Sequence, residues 1–290
     1  MNDYLLFADA TADLPADLVE RYQVRYLPME VEISGETISF CADWTAEQSH
    51  AFYERLRSGE NATTTQITPF VYESIFAPVL EAGQDILYIC FSSGLSNTIS
   101  SAQLAAETLR ERYPQRSIQI VDSLAATYGE GLVVVYAGRN REAGMDLEQN
   151  AAWLREHIGC FAHWFTVDDL MFLKRGGRIS AATAMLGTAL KLKPVMHVDM
   201  EGHLIPVDRV QGRKNSLKAL AKKMEESYLP QGLDLVMIGH GDAEKDAQFL
   251  AQRLKEALPI QRLDVLPICP VIGAHSGPGT IALFFFAKNR

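Results

Sequence analysis

Short apolar runs alternate with amphipathic stretches through the first half of the chain. Residues 4–8 are apolar and meet Asp9-Ala10-Thr11-Ala12-Asp13-Leu14-Pro15, where polar residues and a proline end a strand and open a helix over 16–21. Residues 24–33 are β-branched and aromatic and stop at Ser34-Gly35, which predicts a second strand. Thr45 and Gln48 have the spacing of a capping box, so a helix is predicted from there to about Arg57. After a polar stretch, 58–68, Thr68-Pro69 opens another helix with the threonine as N-cap, and Gly83 closes it. Residues 85–91 form a continuous apolar run of the kind buried in parallel sheets, followed by a strand over 118–121 and two helical patterns between 129 and 157. This alternation predicts an open, mainly parallel α/β sheet with helices on both faces.

The second half has a different rhythm. A strand over 161–167 is followed by a helix over 185–190 that ends before Lys193-Pro194. Runs at 195–198 and 204–210 flank Met200-Glu201-Gly202-His203, the pattern of a hairpin. Helices over 216–228 and 243–258 surround a strand at 234–238, and a last strand covers 281–286. The chain therefore divides into an N-terminal α/β domain, 1–158, and a C-terminal α+β domain, 159–290. In open parallel sheets ligands bind beyond the carboxyl ends of the strands. Those ends carry Asp9 and Thr11, Ser92-Ser93-Gly94, and Asp122-Ser123.

Composition narrows the function classes. The 290 residues are 48% hydrophobic and 22% charged, enough for full cores without disorder. The 27 Lys+Arg and 36 Asp+Glu give a net charge of −9, which argues against a surface that coats nucleic acid. The most apolar run, 281–287, is far shorter than a membrane span, and the first residues lack a basic leader, so a cytoplasmic protein is expected. The four cysteines have no CxxC spacing, and the histidines form no HExxH pair, so no metal site is expected. Neither the P-loop nor the dinucleotide fingerprint is present.

Four segments are too polar and glycine-rich for their surroundings: 63–66 (TTTQ), 91–98 (FSSGLSNT), 173–180 (LKRGGRIS) and 273–280 (GAHSGPGT). The second joins a buried strand to a helix beginning near Ser96 to Thr98, so its N–H groups and hydroxyls suit an anion, or Ser96 or Thr98 simply caps the helix. Ser92-Ser93-Gly94 is not a nucleophile elbow, because Phe91 stands where its first glycine belongs. A serine-dependent hydrolase or acyl transferase using Ser93 and His275 remains the alternative, since nucleophile and base can be distant in sequence.

The order of Asp9–Pro15, the TTTQ at 63–66, Ser92-Ser93-Gly94-Leu95-Ser96, Asp122-Ser123, Gly176-Gly177-Arg178-Ile179, Lys193-Pro194 and the Gly273–Gly279 segment resembles the DegV family. That family comprises bacterial fatty-acid-binding proteins and includes the substrate-holding subunits of fatty acid kinase. The likeness runs from residue 3 to about 285. The chain departs from the pattern with Ala10 for a serine, Thr65-Gln66-Ile67 for Ser-Gln-Pro, Asn97 for a glycine, and Ser276.

The resemblance implies a two-domain DegV-like fold and a carrier, with no cofactor and no catalysis of its own. One long-chain fatty acid such as palmitate would have its carboxylate at the domain junction and its chain in a C-terminal-domain tunnel. Position by position, the carboxylate would meet the hydroxyls of Thr64, with or without Thr65, and of Ser93, with the Gly94 N–H and His275 nearby. An ATP-dependent fatty acid kinase would be the partner, with transient membrane contact allowed. Arg178 would neutralise growing negative charge or form an interdomain salt bridge, and Lys174 and Arg175 would offer a basic docking patch. Apolar candidates for the tunnel, or equally for plain core, are Phe161, Phe165, Met185, Leu186, Leu190, Met196, Phe284 and Phe286.

Overall fold

The structure is a computed structural model and describes residues 4–41, 44–180 and 192–290. The first half contains β1 (Tyr4–Asp9), α1 (Ala16–Arg21), β2 (Val24–Leu27), β3 (Met29–Ile33), β4 (Glu36–Phe40), α2 (Ala46–Arg57), β5 (Ala62–Thr65), α3 (Pro69–Glu81), β6 (Asp85–Cys90), α4 (Thr98–Arg112), β7 (Ile118–Asp122), α5 (Tyr128–Glu142) and α6 (Leu147–His157). The second contains β8 (Phe161–Thr166), α7 (Met171–Arg175), β9 (Leu192–Val198), β10 (Leu204–Gln211), α8 (Arg213–Ser227), β11 (Val236–His240), α9 (Glu244–Ala257), β12 (Leu263–Pro267), α10 (Pro270–Ser276) and β13 (Ile281–Phe286).

The fold is α/β. One sheet has the order β2-β1-β6-β7 with every pairing parallel. A six-stranded mixed sheet has the order β10-β9-β8-β13-β11-β12, and β4-β3-β5 forms a small antiparallel sheet. All strands of the parallel sheet precede residue 123, and all those of the six-stranded sheet follow residue 160.

Helix α5 explains how the two large sheets share one interior. Leu132, Val133, Val134 and Val135 are all fully buried, a pattern that wraps the whole helix circumference instead of one stripe. The helix touches β1 and β6 on one side and β8, β11 and β13 on the other. A contiguous buried cluster therefore runs from Leu6 and Leu87 through α5 to Phe161 and Phe286.

Several local signals form as expected. Thr45 Oγ1 accepts the Gln48 N–H and Gln48 returns the bond to Thr45 N–H, closing the capping box. Thr68 is the N-cap of α3 with Pro69 in its first turn, although its side chain makes no capping bond. Elsewhere tertiary pairing overrides the sequence pattern. The run 24–33 is two strands in different sheets, because Pro28 has no N–H to donate and breaks the ladder between β2 and β3. Ser34 and Gly35, both at positive φ, turn the chain into β4, a strand absent from the expectation. β5, β12 and α10 are likewise additional, and α10 takes up part of the glycine-rich 273–280 segment. The helix expected over 185–190, with Met185, Leu186 and Leu190, lies outside the described residues.

Candidate functional site

A cavity of about 480 Å³ lies beyond the carboxyl end of β6, between the parallel sheet and the inner face of the six-stranded sheet. Its wall draws on both halves of the chain. Phe91, Phe165, Leu173, Val198, Leu204 and Phe284 make most of it apolar, whereas Thr64, Gln66, Ser96, Asn97, Arg178 and His275 supply polar groups. Phe165 and Phe284 are thus lining residues, while Phe161, Met196 and Phe286 are core beside it.

Thr64 and His275 are brought together by three elements. β5 pairs with β3 so that Thr64 lies opposite Val31, half-buried, while Thr63 and Thr65 alternate to the exposed side. The Thr65 wall contribution therefore comes with its hydroxyl turned away, 3.4 Å from Glu30. α10 packs against β5 and α7 and presents His275 Nε2 at 2.8 Å from Thr64 Oγ1. The end of α7 closes on the same ring: a Cβ at Gly176 would fall 2.2 Å from His275 Nδ1, so a glycine is required there. Burial, reinforced by the charge of Arg178, lowers the His275 pKa to about 4, so the ring is neutral at pH 7. Its Nδ1 is buried with no hydrogen-bond partner.

Arg178 is half-buried at the wall. Its Nε donates to Leu95 O at 3.1 Å and its Nη1 to Gly176 O, which ties the α4 loop to the α7 loop. Among the described residues no carboxylate is within ion-pair distance of it, so the interdomain salt bridge does not form there. Burial lowers its pKa.

Ser93 and Gly94, expected at the head group, are not among the lining residues. The reason is the β9–β10 turn. Ser92 Oγ donates to Gly202 O at 3.0 Å, and the turn lies so close that a Cβ on Gly94 would meet Glu201 O at 2.6 Å. This leaves Ser93 exposed, its N–H on Asp122 Oδ1 at 3.2 Å, and the wall positions pass to Leu95, Ser96 and Asn97. Because His275 Nε2 is on Thr64 and Nδ1 is unpartnered, Ser93 and His275 do not form a nucleophile–base hydrogen bond.

A buried acidic group lies behind the wall. Asp9 accepts the Tyr88 hydroxyl and the Phe91 N–H, both at 2.7 Å. Glu130, at the start of α5, accepts the Asp9 N–H at 3.2 Å and the Thr11 hydroxyl at 3.0 Å. Asp13 accepts the Thr127 hydroxyl at 2.6 Å and the Cys269 N–H at 3.3 Å. Burial raises all three pKa values, that of Asp13 to about 7, and Asp9 and Glu130 also oppose each other's ionisation. Asp9 and Asp13 belong to the polar 9–15 stretch that the sequence marks; Glu130 resembles an ordinary first-turn helix acid in sequence.

Two surface features flank the site. Arg175 stacks over Phe172 with its guanidinium carbon 4.4 Å from the ring centroid and borders a polar cleft of about 980 Å³ with Arg57, Asp168 and Asp242. His50, Glu54 and Asp242 bring their ligand atoms within 4.8 Å, a grouping sequence spacing did not reveal. The Arg57 guanidinium already bridges Glu54 and Asp242, so this is an ion-pair network. Among the described residues no helix is long and apolar enough to cross a membrane.

Comparison with known proteins agrees with this geometry. A DegV domain-containing protein of Clostridium perfringens is 36% identical, the match covering 100% of this chain and 99% of that protein. A DegV family protein of Thermus thermophilus, described with fatty acid binding, is 32% identical with a TM-score of 0.85 over 98% of this chain and 99% of its own. DegV of Bacillus subtilis, described as a fatty acid binding protein, is 25% identical with a TM-score of 0.85 over 99% and 100%. The family model described as "Uncharacterised protein, DegV family" matches residues 4–288, and with the sheet order and the ordered loops around the cavity it establishes that the chain belongs to the DegV family.

Proposed function

We propose that this protein binds one long-chain fatty acid, such as palmitate, with its carboxylate against Thr64, Ser96, Arg178 and His275 and its chain along the faces of β8 and β13. The observation that carries this reading is a cavity that is apolar for most of its wall and polar at Thr64 and His275. The fatty-acid binding described for the Thermus and Bacillus proteins supports it. A partly buried carboxylate needs donors to offset lost hydration, and a hydroxyl pair, a neutral imidazole and a guanidinium supply them. About 15 methylenes at ~0.8 kcal/mol each would contribute up to ~12 kcal/mol before binding costs. The tail gives affinity and the polar groups give orientation.

On this reading the domains are 1–158 and 159–290 and the ligand sits at their junction. The chain has no phosphate-cradling motif, so it is a carrier that presents the carboxylate, in the cytoplasm, to an ATP-dependent fatty acid kinase for conversion to an acyl-phosphate. Arg178 would then offset the charge that grows on phosphorylation. Transient membrane contact would load it.

Native mass spectrometry of the bacterially expressed protein should show one added fatty-acid mass, recovered by extraction. A homogeneous ligand-free mass with no lipid on extraction refutes the reading. Turnover of activated acyl esters, with fluorophosphonate labelling at Ser93, would instead establish the hydrolase.

A further inference from the structure

Among the described lining residues, four side-chain polar atoms are buried without a hydrogen-bond partner: His275 Nδ1, Ser276 Oγ and both ring nitrogens of His163. The first two adjoin the head-group position. His163 does not. Strand alternation puts Phe161, His163 and Phe165 on one face of β8, and His163 lies opposite Phe284 in β13. Thr280, just before β13, is anchored at the polar end through its hydroxyl on the carbonyls of Ser276 and Gly277. The four steps from Thr280 to Phe284 span about 14 Å at ~3.4 Å per residue. With C–C bonds of about 1.5 Å, an extended acyl chain advances roughly 1.3 Å per carbon, so a chain whose carboxylate lies level with Thr280 brings about its tenth carbon beside His163.

An unpaired imidazole is a costly occupant of an apolar wall. No hydroxyl nearby relieves it, since Thr127 is committed to Asp13 and Thr280 to the α10 carbonyls. Burial holds the ring neutral, leaving one donor and one acceptor. A secondary alcohol can pair with either of them, donating to the bare nitrogen or accepting from the N–H, and so relieves one of the two. We infer that His163 is a specificity residue that reads an oxygen on the acyl chain, and that the ligand class is a long-chain fatty acid with a mid-chain hydroxyl near C10. The inference rests on the fatty-acid reading and deepens it.

The test compares positional isomers, which share the same cost of leaving water, by competition against a fluorescent fatty acid on the delipidated full chain. Wild type should bind 10-hydroxystearate about 5- to 10-fold tighter than 17-hydroxystearate, the size of one net hydrogen bond. His163→Phe should lose that preference, read as the ratio of the two isomers within the same variant, and His163→Gln should keep part of it. Equal affinity for the two isomers in wild type, or a preference that survives in His163→Phe, overturns the inference while stearate binding leaves the fatty-acid reading standing. Failure of stearate and both hydroxystearates to bind overturns both. Should His163→Phe not fold, the wild-type isomer ratio and His163→Gln still decide.

Discussion

Asp13 offers a direct measure of how strongly the ground behind the cavity resists negative charge. Its carboxyl is buried in the folded chain, and burial lifts its pKa from 3.8 to about 7. That difference is about 3 units, or ~4 kcal/mol at 1.36 kcal/mol per unit. The sign follows from proton linkage: between these values the folded state holds the proton and the unfolded state has lost it, so stability falls as pH rises. Well below pH 4 both states are protonated and no penalty exists; well above pH 7 the penalty is complete and constant. Asp13→Asn keeps an oxygen to accept the Thr127 hydroxyl and the Cys269 N–H but cannot ionise. The variant should match wild type near pH 4 and exceed it by up to ~4 kcal/mol at pH 8. Across 290 residues, with an unfolding entropy of about 2.1 cal/mol/K per residue, that corresponds to a Tm difference of ~7 °C. Thermal and urea unfolding of both proteins from pH 4 to 8.5 reads the difference. A variant that is less stable than wild type by the same amount at pH 4 and pH 8 would refute the argument, because the carboxylate would then be ionised and favourably held.

Three further outcomes follow from the site. Thr64→Val removes the hydroxyl on His275 and should weaken fatty-acid binding about tenfold, the scale of one hydrogen bond to a charged group, with circular dichroism unchanged; unchanged affinity would remove Thr64 from the head-group set. Arg178→Met removes the charge that, after burial, depresses His275, so the imidazole titration followed by NMR should move upward from about pH 4, and an unmoved midpoint would refute the coupling. Ala282→Phe projects a ring into the cavity from β13 and should abolish co-purified lipid while the protein remains folded; full lipid occupancy in that variant would place the chain elsewhere.

What the sequence disclosed and what it hid divide along the range of the forces involved. The Thr45–Gln48 box and the Thr68-Pro69 start are local, set within one helical turn, and the helices they announce begin there, the first with its capping bonds made and the second without one. The continuous apolar run of β6 announces a strand buried on both faces, and it lies at the centre of the parallel sheet. β4 and β5 are polar and half-exposed, so nothing local marks them; their identity comes from pairing with β3. The same distinction separates Ser93 from Ser96. Both are serines in one loop, and which of them reaches the cavity is decided by the β9–β10 turn, where Ser92 meets a carbonyl 110 positions further along the chain. His163 gives no signal at all, because a histidine between aromatic residues in a strand reads as core until its neighbours prove unable to bond it.

The electrostatics of the site depend on these hidden, long-range contacts more than on its visible motifs. A carboxylate ligand placed near three ionised acids would be repelled strongly in a low-dielectric interior. Burial instead raises the pKa of all three, most of all Glu130, so the group carries less than its full charge, with hydroxyls and N–H groups from four segments holding its oxygens. His275 is neutral for the same reason. Arg178, which stays cationic despite its burial, is then the permanent charge nearest His275 on the wall. A chain with a net charge of −9 can in this way offer an anion a locally positive berth.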